Sequence, residues 1–262
     1  MDWSTNWYPD TVVVYEDTIV WGRSQADGNN ARLYQWDPSD NTYMEIAGGT
    51  QDLCACGYTE AVALLGDELY LFGNTGQYID LSNLALGWQS AFIPSERRVG
   101  EAGAIGFEGR VYTFGGRGPL DTTQSYSGGA AGTWMDHADV PYLVDYGSAV
   151  AYEGDIYLLG GVNSDGTSSL ASVYDPAQDS WTILPDPPTN DSRTVSAGVY
   201  GAQLYMFQQG VLYFFDVATS TWVDPVPGPG LQGAHALTIS GQIHAVGAGD
   251  TGATEVHRLV FP

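Results

Sequence analysis

Residues 152–161 read "YEGDIYLLGG", from Tyr152 to Gly161. A Glu-Gly turn leads into a short apolar strand that ends on paired glycines, which is the chemistry of a tight β-hairpin. Residues 107–116 repeat it as "FEGRVYTFGG". The strand-and-glycine unit appears six times, as "DTIVWG", "ELYLFG", "RVYTFG", "DIYLLG", "QLYMFQ" and "QIHAVG". These copies end at positions 22, 73, 115, 160, 208 and 247, with Gln208 in place of glycine in the fifth. Self-similarity at a period of roughly 40–50 residues signals a solenoid or a propeller.

Working outward, each unit follows another short apolar strand, such as "SAVAY" from Ser148 or "GAIGF" from Gly103. A polar loop of variable length comes next, then a third strand, a turn and a fourth strand. The last turn is plain in "DPSDNTY" from Asp37, "DPAQDSW" from Asp175 and "DVATSTW" from Asp216. Its aromatic slot holds Tyr43, Trp88, Trp134, Trp181 and Trp222. Helical periodicity is absent. Four antiparallel strands, six times over, predict an all-β, six-bladed β-propeller built as a single domain over residues 1–262. Sheets stacked around an axis bury their alternate apolar side chains, and the slot aromatic fills the gap between blades at roughly 150–250 Å² per ring.

The paired glycines Gly115–Gly116 and Gly160–Gly161, the later Tyr174–Asp175 and the spaced Trp181 resemble kelch repeats. The resemblance spans the chain, although the first, second, fifth and sixth copies lack the second glycine. It implies a kelch-like propeller and no single function, because the fold hosts many. The sixth copy stops at "EVHRLVFP", so the stretch around Trp3 is expected to supply its outer strand and close the ring.

Composition narrows the partners. The chain carries 31 acidic and 8 basic residues, a net charge of −23, and every basic residue is arginine. Such a surface repels nucleic acid and anionic membrane. No apolar run is long enough for a membrane-spanning helix. The N-terminus lacks the basic and apolar regions of a secretory signal. Acidity of this degree fits a secreted or extracellular setting better than the cytoplasm, and a monomer is expected. The two cysteines, Cys54 and Cys56, form neither a disulfide framework nor a zinc pair. No cofactor and no metal site are expected.

With strands a to d numbered from the axis, b–c loops and d–a connections share one face. Arg23 and Arg117 lie in b–c loops, and Arg97, Arg98 and Arg193 in d–a connections. Arginines there serve one of two ends. They pair locally with Glu96, Glu101 or Asp121, or they offer planar forks to a carboxylate, sulfate or phosphate. The resemblance implies the second, since kelch substrate adaptors bind acidic peptides through arginines on this face. The first function reading is therefore a recognition scaffold for an acidic peptide, a protein or a small anionic ligand such as an acidic sugar. Its contacts would be Arg23, Arg97, Arg98, Arg117, Arg193, Tyr58, Tyr142 and Tyr146.

The alternative is a carbohydrate-type isomerase, lyase or hydrolase at the tunnel mouth. Register on the strand-ending glycine puts Asp10 and His235 at equivalent inner-strand starts, with Glu101 and Tyr146 two residues before theirs. Such a set can move protons, or can simply line a hydrated channel. His244 falls in the slot of Tyr70, Tyr112, Tyr157 and Tyr205 and reads as structural. No copper, calcium, phosphate-loop or nucleophile-elbow pattern can be placed.

Overall fold

The computed structural model describes residues 11–23, 29–51, 61–73, 75–93, 99–100, 102–116, 118, 120–162, 170–189, 196–250 and 254–260. Six antiparallel sheets follow one another along the chain. Blade one is β1 (Thr11–Tyr15), β2 (Thr18–Arg23), β3 (Asn29–Asp37) and β4 (Thr42–Gln51). Blade two is β5 (Ala61–Leu65), β6 (Glu68–Phe72), β7 (Gly76–Asp80) and β8 (Gln89–Ala91). Blade three is β9 (Gly103–Phe107), β10 (Arg110–Phe114), β11 (Thr123–Tyr126) and β12 (Trp134–Asp136). Blade four is β13 (Ser148–Tyr152), β14 (Asp155–Leu159), β15 (Ala171–Asp175) and β16 (Ser180–Ile183).

Blade five is β17 (Ser196–Tyr200), β18 (Gln203–Gln208), β19 (Val211–Asp216) and β20 (Thr221–Trp222), with a short β21 (Val226–Pro227) also on β19. Blade six shows β22 (Gln232–Ile239), β23 (Gln242–Ala248) and β24 (Thr254–Arg258). The stretch around Trp3, expected to add its fourth strand, lies outside the described residues. The inner strands touch in the cycle β1, β5, β9, β13, β17, β22 and back to β1, so the ring closes and the protein is a six-bladed β-propeller.

The opening hairpin behaves as its sequence demands. Glu153 and Gly154 both have positive φ, 53° and 97°, as a two-residue turn matched to strand twist requires. The core is not one mass but a series of layers, each shared by two blades. Tyr70 and Phe72 of blade two pack with Val111, Tyr126 and Trp134 of blade three. Tyr112 and Phe114 of blade three pack with Ile156, Leu158, Tyr174 and Trp181 of blade four. Ile239 and Val246 of blade six pack with Ile19, Trp21 and Trp36 of blade one.

Hydrogen bonds staple these layers. The indole N–H of Trp134 donates to the Phe92 carbonyl at 2.7 Å, that of Trp181 to Ala138 at 2.9 Å, and that of Trp222 to Pro185 at 2.8 Å. Each tryptophan therefore ties its outer strand to the end of the preceding blade's outer strand. Near the axis, Ser148 Oγ accepts from the Ala197 amide at 3.0 Å and Ser196 Oγ from the Ala236 amide at 2.7 Å. These two serines hold the inner strands of the next blades.

Candidate functional site

On the loop face, the connection from blade three to blade four is held at several points among the described residues. Val144 and Leu120 pair as a β-bridge, and Asp145 pairs with Val162 in the same way. The Gly116 amide also donates to the Val144 carbonyl at 3.0 Å, and the Val140 amide to the Asp121 carbonyl at 2.6 Å. One connection is thus sewn to the b–c loops of both blades it joins. Gly115 makes this approach feasible: its φ is 70°, and a Cβ there would lie 2.1 Å from the Val144 carbonyl oxygen. Any larger residue would push the connection away.

This clamp holds Tyr146 in a left-handed backbone, φ 57°, a conformation costing a bulky residue roughly 1–3 kcal/mol. Tyr146 stays half-buried beside the buried Asp145. Tyr142 turns inward. Its ring joins the Phe114–Tyr174 layer, its hydroxyl lies 2.9 Å from Ser172 Oγ, and burial raises its pKa. Tyr142 therefore braces the connection from beneath. His235 sits half-buried opposite Val246, next to a register shift in β22 that begins at Gln232. Gln208, which replaces the fifth glycine, is buried and accepts from Thr189 Oγ1 at 3.3 Å.

Arg97, Arg98, Arg117, Arg193, Tyr58, Asp10, Glu101, Cys54 and Cys56 lie outside the described residues, as does the side chain of Arg23. The alignment that selected Asp10 is corrected by the pairing. Thr11 stands opposite Gly22, as Ala61 stands opposite Phe72, Gly103 opposite Phe114 and Ser196 opposite Phe207. Gly22 comes one residue early relative to the other strand-ending glycines, so Thr11 holds the position equivalent to Ser148 and His235. A slip of one residue exchanges the two faces of a strand. His244 is buried as expected, and its Nδ1 lies 3.2 Å from the Gln242 carbonyl.

The three arginines with described side chains lie elsewhere. Arg32 pairs with Glu45 at 2.7 Å on the outer hairpin of blade one. Arg110 Nε donates to Ser125 Oγ at 2.7 Å, beside the hairpin turn of blade three. Arg258 Nε donates to Gln242 Oε1 at 3.1 Å.

Sequence reading missed a line of three residues between blades three and four. Ser125 Oγ is 2.7 Å from His137 Nε2, and His137 Nδ1 is 3.7 Å from Asp179 Oδ1. The order matches a hydrolytic triad, but Ser125 has no exposed surface, so no substrate reaches it. Asp179 Oδ1 accepts from the Tyr174 hydroxyl at 2.6 Å and the Ala138 amide at 2.9 Å, which hold its carboxyl below the usual range. The line is an inter-blade brace. Only the order of a Ser, a His and an Asp was available as a signal, and nothing local marks residues that meet across two blades. Among the described residues, no group of three His, Cys, Asp or Glu side chains could hold a metal ion.

Sheet count, ring order and loop-bearing face define the class as a repeat-built β-propeller. Residues 146–188, which span blade four, match the Kelch motif. The Kelch-like protein terF of Aspergillus terreus is 25% identical over 238 residues, covering 77% of this chain and 51% of that protein. Kelch repeat and BTB domain-containing protein 12 of Danio rerio is 27% identical over 197 residues, covering 62% and 32%. The chain thus spans about half the length of the first relative and a third of the second. The solved structure of YjhT superposes with a TM-score of 0.61 at 15% identity, over 73% of each chain, which supports the fold alone. The chain thus carries a Kelch motif in its fourth blade and is similar to kelch-repeat proteins over most of its length.

Proposed function

We propose that this chain is a recognition scaffold that binds an acidic peptide, an acidic protein segment or a small anionic ligand such as an acidic sugar on its b–c/d–a face. The observation that carries the reading is the clamped Val140–Gly147 connection, which offers a rigid platform with Tyr146 at its end. A platform fixed before binding loses little freedom on association. The sequence reading expects five of the eight arginines in or beside the loops of this same face, with Arg23 standing at the end of β2. On a chain of charge −23, they are the groups suited to desolvated pairing with carboxylates. Tyr142 supports the platform, and Tyr146 forms its edge.

Fluorescence anisotropy with a labelled deca-glutamate peptide, set against a deca-glutamine control, tests the reading. Saturable binding of the glutamate peptide alone is expected. The combined Arg97→Glu and Arg98→Glu variant is expected to weaken it at least about tenfold. Equal binding of both peptides, or full binding by the double variant, would remove the proposal.

A further inference from the structure

The line from Ser125 through His137 to Asp179 has a direction that its hydrogen bonds fix. Arginine carries only donors, and Arg110 Nε donates to Ser125 Oγ at 2.7 Å. The Ser125 hydroxyl has no exposed surface, and among the described residues its own hydrogen meets one acceptor, His137 Nε2 at 2.7 Å. Nε2 is then the bare nitrogen of a neutral ring. The ring proton sits on Nδ1, which faces Asp179 Oδ1 at 3.7 Å. Tyr112 and Tyr174 hold the ring from two sides, with centroids 5.5 and 6.1 Å away.

We propose that this line is an acid-operated latch between blades three and four, closed while His137 is neutral and released when Nε2 takes a proton. The added proton turns an acceptor into a donor. Ser125 Oγ then faces two donors, and its own hydrogen is left without a described acceptor in a buried place, which is costly. The imidazolium also stands near the Arg110 guanidinium. Asp179 favours the charged ring, but across 3.7 Å, and its Oδ1 already accepts from the Tyr174 hydroxyl at 2.6 Å and the Ala138 amide at 2.9 Å. Asp136, on the same strand as His137, is exposed and accepts from Gln124 at 3.2 Å. Burial raises the pKa of Tyr112 and Tyr174, so both stay uncharged. Burial also weighs most at His137, which therefore resists the proton while the latch is closed.

The release has a path outward through Ala138, the next residue. Its amide rests on Asp179, and its carbonyl accepts the Trp181 indole, which also reaches Thr123 Oγ1 at 3.2 Å. A ring that leaves its slot draws Ala138 off blade four. The equivalent staples lack this control. Trp134 bonds Phe92 and Trp222 bonds Pro185, and the residues in the place of His137 are Ala91 and Leu184, neither of which titrates. The inference goes beyond the recognition reading and does not depend on it.

Hydrogen exchange followed by NMR from about pH 8 to about pH 5 tests the latch, with protection corrected for the intrinsic exchange rate. Protection of the Trp181 indole and the Ala138 amide should fall below about pH 6.5, by up to about tenfold per pH unit. The Trp134 and Trp222 indoles should stay level over the same range. At the upper pH, the ring nitrogen shifts of His137 should show Nε2 bare and Nδ1 protonated. His137→Gln keeps an acceptor for Ser125 that cannot titrate, and should flatten the Trp181 profile. The measurements on the unmodified chain decide the matter even where that variant does not fold. A Trp181 profile parallel to those of Trp134 and Trp222, a proton on Nε2 at the upper pH, or the same fall in a folded His137→Gln protein would overturn the proposal.

Discussion

The interface between blades three and four and the seam between blades six and one are built on the same positions and packed differently. At the first, Tyr112, Phe114, Tyr174 and Trp181 pack ring against ring, with Phe114 edge to face on Trp181, His137 packs on Tyr112 and Tyr174, and the Trp181 indole is tied to Ala138. At the seam, His244 and Trp36 meet edge-on at 5.8 Å. The slot residue there is Tyr43, which is 50% exposed. The seam still closes, through the Ile19–Trp36–Val246 layer and a Ser240 to Asp17 hydrogen bond of 2.8 Å. The difference separates two properties that a repeat usually delivers together. Among the described residues, the seam closes on its inner strands and one shared layer, whereas the interface of blades three and four adds an outer tier of rings.

The widest gap between the two interfaces should appear on truncating the slot residue. Trp181→Ala removes a half-buried indole, its stacking on Phe114 and Tyr174, and its bond to Ala138, a loss of roughly 3 kcal/mol. Tyr43→Ala, on the more open side, should cost under about 1 kcal/mol. Urea denaturation midpoints measure both, and similar losses would mean that the seam is packed as tightly as the other blades. A smaller contrast isolates the staple. Trp181→Phe leaves the Ala138 carbonyl without its indole donor and should cost about 1 kcal/mol more than Trp88→Phe. Trp88 occupies the same slot, but its Nε1 is buried with no partner among the described residues. Equal costs would show that the indole bond adds nothing to the ring.

How far the sequence could be read follows from the same contrast. The hairpin "YEGDIYLLGG", its turn and its period are local, so six blades and the loop-bearing face were legible before any coordinates. The slot tryptophans were legible as inter-blade filler, but not their bonds to Phe92, Ala138 and Pro185, which lie in other repeats. Blade one misled the alignment because Gly22 arrives one residue early, and only the pairing of Thr11 with Gly22 corrects it. Tyr142 looked like a ligand contact because it sits in a loop. The partner that turns it inward, Ser172, belongs to the next blade's third strand. The His137–Asp179 brace depends on neighbours brought together by the circular arrangement, and a linear pattern carries no mark of it.

The finest test sets the two histidines against each other. Burial lowers the pKa of both His137 and His244, and the leading charge beside each acts in the opposite sense to the other. At His137 the Asp179 carboxylate pulls the value back up, while at His244 the Arg258 guanidinium pushes it further down. Asp179→Asn should therefore lower the His137 pKa, and Arg258→Gln should raise that of His244, each readable by NMR titration of the ring protons. With both folded-state values depressed, the unfolded chain takes up protons first. Each histidine's contribution to stability is then fully present above its folded-state value only once pH also exceeds the unfolded value near 6.5. It is lost as pH falls from there towards the depressed folded value. Arg258→Gln should narrow that loss and Asp179→Asn should widen it. No shift in either variant would mean that burial alone governs both rings, and that the seam and the packed interface are electrically alike.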